Sequence, residues 1–242
     1  MVHIKIEKLT KIYGEDESLV RALDNISLQV EDNEFVVFMG PSGAGKSTLI
    51  NLLAGLDNPT RGKVYMGEKV ISSLSDSEKC DMRRHVIGIV FQFFNLHPGL
   101  TVRENIELPL VIAGIPKKER PEKVDKVLNL TDMDKRQNHY PFEISGGEQQ
   151  RTAIARALVM NPSVLLCDEP TGDLDSENGQ KIIDLLHDLN YIEGLTVVEV
   201  THDESMLRLG DRLIQMEDGR IINNVILENK DQIPKYDYLN SS

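Results

Sequence analysis

The chain has 242 residues, 40% hydrophobic and 27% charged, which suits one large globular domain or one domain carrying an inserted lobe. Its formal net charge is −12, and positive charge gathers only in the short pairs Arg83-Arg84 and Lys117-Lys118. That balance argues against bulk electrostatic binding to nucleic acid, so no nucleic-acid partner is expected. No apolar stretch approaches the ~18 residues that a membrane span requires, so work at a membrane calls for a span supplied by another chain.

The opening segment, Met1-Val2-His3-Ile4-Lys5-Ile6, alternates like a strand and lacks the apolar core of a secretory leader. Alternation over His3–Leu9 and Ile26–Val30 predicts half-exposed antiparallel strands. Glu34–Met39 reads as a buried strand, followed by a glycine-rich turn and a helix over Ser47–Ala54 that Gly55 ends. Gly62–Met66 and Lys69–Ile71 form a predicted hairpin. Ser75–His85 is a polar helix with Asp76 and Glu78 at its start and arginines at its end, in keeping with the helix dipole. Ile87–Phe91 is the next strand.

Helical patterns then take over, at Thr101–Ala113, Arg120–Leu130 and Gly146–Met160, with Pro116, Pro121 and Pro141 as breaks. Strand and helix alternate again through Ser163–Cys167, Glu177–Asn190, Thr196–Thr201, Glu204–Leu209, Arg212–Met216 and Arg220–Ile226. The fold class expected is α/β. It has a core on a mixed parallel sheet, an antiparallel β subdomain at the amino terminus and an inserted α-helical subdomain. In numbers, 1–92 and 161–226 make the core, 93–160 the helical subdomain and 227–242 a polar tail. Cys80 and Cys167 stand far apart with no histidine at metal-ligand spacing, so two reduced thiols are expected.

Gly40-Pro41-Ser42-Gly43-Ala44-Gly45-Lys46-Ser47 matches the phosphate-binding P-loop, with a strand before it and a helix after it. Its glycines let backbone N–H groups turn inward around phosphate oxygens, Lys46 reaches the β- and γ-phosphates, and the Ser47 hydroxyl offers a magnesium ligand. Val164-Leu-Leu-Cys-Asp168-Glu169-Pro170 is an apolar strand ending in two acids. Alone, such a pair reads as well as a solvated turn. With the P-loop upstream, Asp168 is the magnesium residue and Glu169 the acid that polarises the attacking water.

Ile144-Ser145-Gly146-Gly147-Glu148-Gln149-Gln150-Arg151 opens a helix with a serine and two glycines. It reads both as a capping box, Ser145 with Glu148, and as a second anion cradle. One nucleotide per chain leaves that second cradle to serve the nucleotide of a partner copy.

These three motifs, in this order, resemble the nucleotide-binding domain of ABC transporters over roughly residues 3 to 226. The resemblance implies that fold with a P-loop NTPase core, ATP and Mg²⁺ as ligands, and ATP hydrolysis with Glu169 as general base. It implies that Tyr13 stacks on adenine, that Thr48 faces the α-phosphate, and that Gln92 meets magnesium and senses the γ-phosphate. His202 becomes the switch histidine on that phosphate, and Asp175 the aspartate of the loop crossing a dimer interface. It implies a homodimer with ATP sandwiched between copies and an integral membrane permease as partner. The chain would then be cytoplasmic and peripheral on the inner face of the cell membrane. Phe93, Phe94, Leu96 and Leu100 are candidate docking groups, or equally filling of the helical subdomain. The helix ending in Arg83-Arg84 and the run from Phe91 to Leu110 resemble the lipoprotein-release, macrolide-export and cell-division ATPases. Amino-acid importers share much of that run. Chromosome-handling ATPases share the motifs but carry coiled-coil or DNA-binding insertions, and this chain has neither. The transported substrate is not encoded here. Three positions depart from the commonest family pattern: Ile144, Glu148 in place of a glutamine, and Asp173 in place of a small apolar residue.

Overall fold

The computed structural model describes residues 2–208 and 210–227. The polar tail expected over 227–242 therefore lies, from residue 228 on, outside the described residues, as does Leu209.

Strands β1 (Val2–Tyr13) and β2 (Val20–Glu31) pair antiparallel, and the hairpin expected after them supplies β4 (Arg61–Met66) and β5 (Lys69–Val70). Together they make a four-stranded sheet in the order β2-β1-β4-β5. Both long strands outrun the alternating stretches that predict them. The reason is local: the register slips between Ile6 and Leu9 and again before Lys11, and Lys8 (φ 47°) and Asn25 (φ 56°) take left-handed conformations. Such bulges interrupt the period of two without ending the strand.

The second sheet has six strands in the order β10-β9-β3-β8-β7-β6. These are β3 (Phe35–Met39), β6 (Ile87–Val90), β7 (Val164–Asp168), β8 (Thr196–Thr201), β9 (Arg212–Glu217) and β10 (Arg220–Ile226). Every pairing is parallel except β9 with β10, which a tight turn through Asp218 and Gly219 folds back antiparallel. The sheet is therefore mixed, as expected.

Strand β3 is buried along its whole length and belongs to two cores at once. Phe35, Val37 and Met39 face one that includes the helical residues Val102, Ile106, Ile154 and Ile182. Val36 and Phe38 face another, shared with Leu49 and Ile50 and with Ile4 and Ile6 of the antiparallel sheet. A parallel sheet covered on both faces needs such a continuous apolar run.

Four of the six α-helices among the described residues begin at a side-chain cap. The six are α1 (Lys46–Leu53), α2 (Asp76–His85), α3 (Val102–Ile112), α4 (Arg120–Leu130), α5 (Gly146–Leu158) and α6 (Ser176–Tyr191). Ser75 with Glu78, Thr101 with Glu104 and Ser145 with Glu148 close reciprocal capping boxes, and Asp175 caps α6. Pro121 proves to be a first-turn residue of α4 and not a break, as its missing N–H permits there. Glu204–Arg208 forms a short 3-10 turn. Phe93 is exposed, while Phe94, Leu96 and Leu100 are half-buried. Both cysteines are free thiols, Cys80 exposed and Cys167 buried.

Candidate active site

Strand β3 runs straight into Gly40, and the loop turns into α1 through Gly45, which caps that helix at φ 94°. A Cβ there would lie 2.2 Å from the Ala22 carbonyl oxygen, so the loop presses on β2 at a point only glycine allows. Lys46, the first residue of α1, is buried. Its Nζ donates to the carbonyls of Gly40 (2.7 Å) and Pro41 (3.1 Å) and stands 3.9 Å from Glu169 Oε1. Burial lowers its pKa, and the carboxylates of Glu169 and Asp168 oppose that shift. Tyr13 sits beside α1, its hydroxyl donating to Asp57 Oδ2 at 2.8 Å and also meeting the Thr48 side chain.

Ser47 Oγ donates to Asp168 Oδ1 at 3.0 Å. Burial pushes Asp168 upward, and the Ser47 hydroxyl works against it. A hydroxyl and a carboxylate converging on one point are hard oxygen donors. Mg²⁺ takes few protein ligands and completes its shell with water and phosphate oxygens, so this pair fits it.

Beyond Asp168 the chain turns sharply. Glu169 has φ 49°, a left-handed conformation costing about 1–3 kcal/mol in a residue with a side chain. Its N–H donates to Val200 O (2.9 Å), pinning the turn to β8. The same turn delivers the Glu169 carboxylate to His202, with Oε2 2.9 Å from Nδ1. Gly40, Pro41, Ser42, Lys46, Gln92, Glu169 and His202 all line one cavity of about 490 Å³. The ends of four parallel strands, β3, β8, β7 and β6, thus bring together residues from widely separated parts of the sequence.

Ser145, Gly146, Gly147 and Glu148 do not line that cavity. They form a separate surface at the start of α5. Glu148 Oε2 accepts the Ser145 N–H (2.9 Å), and Oε1 meets Arg136 Nε at 2.8 Å. Burial pushes this carboxyl upward, but the Ser145 N–H and Arg136 outweigh it and hold it below the usual carboxylate range. Asp175 accepts from the backbone N–H of Asn178 (3.0 Å) and from its Nδ2 (2.7 Å).

Some positioning residues have no role in the sequence reading. Gln150 is fully buried in α5 and donates to Pro170 O (2.8 Å) and Phe91 O (3.4 Å), tying that helix to both strand ends beside the cavity. Its signal was present: it falls on the same face as Gly147, Ala153 and Ile154, where an amide needs partners. Asp57, under Tyr13, follows the end of α1 in a turn whose sequence gives no sign of that contact.

Residues 23–172 match the family model described as ABC transporter. The chain is 46% identical over 222 residues to an uncharacterised ABC transporter ATP-binding protein, MJ0796, of Methanocaldococcus jannaschii, covering 90% of this chain and 94% of that one. The solved dimer of that cassette in a post-hydrolysis state, bound to ADP and Pi, superposes with a TM-score of 0.86 at 43% identity, covering 93% of this chain and 99% of that one. The methionine import ATP-binding protein MetN of Geobacillus kaustophilus is 46% identical over 90% of this chain and 64% of its own length. The macrolide export ATP-binding/permease protein MacB of Marinobacter nauticus is 40% identical over 97% of this chain and 36% of its own.

Proposed function

The chain belongs to the family of ABC transporter ATP-binding proteins, and from that premise we propose that Glu169 is the general base of an ATP hydrolysis completed across a head-to-tail homodimer. The protein is an ATP-binding and ATP-hydrolysing cassette of the kind that dimerises and serves a membrane permease. The observation that carries the residue assignment is the Glu169 carboxylate held between His202 Nδ1 at 2.9 Å and Lys46 Nζ at 3.9 Å in one cavity.

In this reading the backbone N–H groups of the loop from Ser42 to Ser47 cradle the β- and γ-phosphates, Gly40 and Pro41 lead the chain into that turn, Thr48 faces the α-phosphate and Tyr13 stacks on the base. Lys46 leaves its loop carbonyls for phosphate oxygens. Ser47, Asp168 and Gln92 would hold Mg²⁺, which when bound neutralises charge on the γ-phosphoryl oxygens. Glu169 takes a proton from water as its oxygen attacks phosphorus in line, and ADP departs. His202 holds the Glu169 carboxylate and reaches the γ-phosphate. Ser145, Gly146, Gly147 and Glu148 of a second copy close the site from the far side, with Asp175 in the loop between copies. Residues 1–92 and 161–226 act as the nucleotide-binding core and 93–160 as the lever.

The partner proposed is a permease of the lipoprotein-release, macrolide-export or cell-division kind, placing the protein on the cytoplasmic face of a membrane. Among the described residues no helix is long and apolar enough to cross one. The run from Phe91 to Leu110 supports this branch. The importer reading is favoured by the 46% identity to MetN. Co-expression with each class of permease, reading stimulated ATPase, separates the two.

The central test is Glu169→Gln. It is expected to bind ATP, run as a dimer on size exclusion and lose at least a hundredfold in phosphate release. Turnover like the parent's would remove Glu169 from its role.

A further inference from the structure

Tyr13 is held by more than its neighbours along β1. Lys11 Nζ lies over the tyrosine ring, 4.7 Å from its centroid. The same ammonium donates to Asp57 Oδ1 at 2.6 Å and to Asn58 O at 2.8 Å. Asp57 Oδ2 accepts the Tyr13 hydroxyl at 2.8 Å, and Asp57 Oδ1 also accepts the Asn58 N–H at 2.6 Å. The Lys11 side chain is 12% exposed, whereas Tyr13 is 40% exposed. The ring is therefore fixed by its hydroxyl at one end and covered by a cation on one face.

We infer that Lys11 and Asp57 are positioning residues that set the plane and the electron density of the Tyr13 ring, and so give the site its preference for a purine base. The inference rests on the reading of Tyr13 as the residue that stacks on the base. With Lys11 on one face, a nucleobase stacks on the other. Two stacked π-systems repel through their negative faces. A cation behind the ring draws its density away from the open face and weakens that repulsion. The Asp57 bond anchors the far end of the side chain while Lys11 packs on one face, so less freedom is lost when a base arrives. A wide purine gains most from a fixed flat platform, and a pyrimidine gains least.

The test compares steady-state hydrolysis of ATP and UTP by the full chain and its Lys11→Met, Lys11→Arg, Asp57→Asn and Tyr13→Ala variants. Lys11→Met is expected to raise KM for ATP about three- to tenfold, to leave kcat alone and to change KM for UTP less than twofold. Lys11→Arg keeps a cation over the ring and is expected to restore the ATP value. Asp57→Asn is expected to fall between, and it carries the same comparison should Lys11→Met fail to fold. A loss shared equally by ATP and UTP, or no change in either, overturns the inference. If Tyr13→Ala keeps the parent's KM for ATP, the stacking role itself falls and the inference with it. If the unaltered protein releases no phosphate from ATP, the ATPase assignment fails instead.

Discussion

Gly147 and Asn178 share a space with no room for one more carbon: a Cβ on Gly147 would lie 2.6 Å from Asn178 Oδ1 and 2.9 Å from Asn178 Cβ. Asn178 in turn holds Asp175 through two hydrogen bonds. The Ser-Gly-Gly turn and the loop before α6 are thereby locked into one surface within a single chain. Gly147→Ala is expected to displace Asn178 at an overpacking cost of about 1–3 kcal/mol and to lower phosphate release at least tenfold. Asn178→Ser in the same protein returns the space and is expected to recover part of that activity. Phosphate release and thermal melts check both, and full activity in Gly147→Ala would mean that the lock is idle.

Glu148 and Arg136 set the charge of the same surface. The carboxylate stays ionised beside a helix start that the proposed dimer offers to a partner's triphosphate, and Arg136 offsets it at 2.8 Å. Arg136→Ala is expected to raise severalfold the ATP concentration needed for dimer formation, more so at low salt. Adding Glu148→Gln is expected to cancel that rise, since the amide oxygen still accepts the Ser145 N–H. Dimer fraction on size exclusion, in the Glu169→Gln background, is the measurement.

Glu199 is a different case. It lies fully buried in β8 with Val37 and Cys167 as its register neighbours, and neither carboxylate oxygen has a partner among the described residues. Burial, and then the charge of Asp203, push its carboxyl well above the ordinary value. The folded chain thus keeps a proton that the unfolded chain releases, so stability falls as pH rises from about 4.5, the ordinary glutamate value, toward the raised one. Glu199→Met removes this term. Its melting temperature is expected to exceed the parent's by a few degrees at pH 8 and by less at pH 5. A gain independent of pH would show that Glu199 does not titrate across this range.

Gln150→Leu keeps the volume of a buried helical position but leaves the Pro170 and Phe91 carbonyls without their donor. Expected is a fall in kcat of about tenfold, from ~1–3 kcal/mol of lost pairing, with the KM for ATP little changed. A rise in KM alone would place the effect on binding.

Much of this architecture was legible because its signals are local. Ser75, Thr101 and Ser145 each stand three residues before a glutamate, and each starts a helix. The P-loop and the Asp168-Glu169 pair are contiguous, so their placement at strand ends followed from one apolar run apiece. What stayed hidden depends on residues distant in sequence. The bulges at Lys8 and Asn25 shorten the visible alternation of β1 and β2, although tertiary pairing carries both strands on. The approach of Asp57 to Tyr13, of Asn178 to Gly147 and of Arg136 to Glu148 follows from how elements pack, and no spacing rule encodes it. The family resemblance singled out His202, but the 2.9 Å approach to Glu169 comes from β7 and β8 lying side by side in register.

Lys46 gives its ammonium to the carbonyls of its own loop, at Gly40 and Pro41. A phosphate that takes the lysine does so by exchange: two neutral acceptors are surrendered and one charged acceptor is gained. The same exchange run backwards eases departure, because the lysine returns to waiting oxygens and no buried cation is left bare. The loop therefore tempers its own grip, a property suited to a protein that must let go of its product on every cycle.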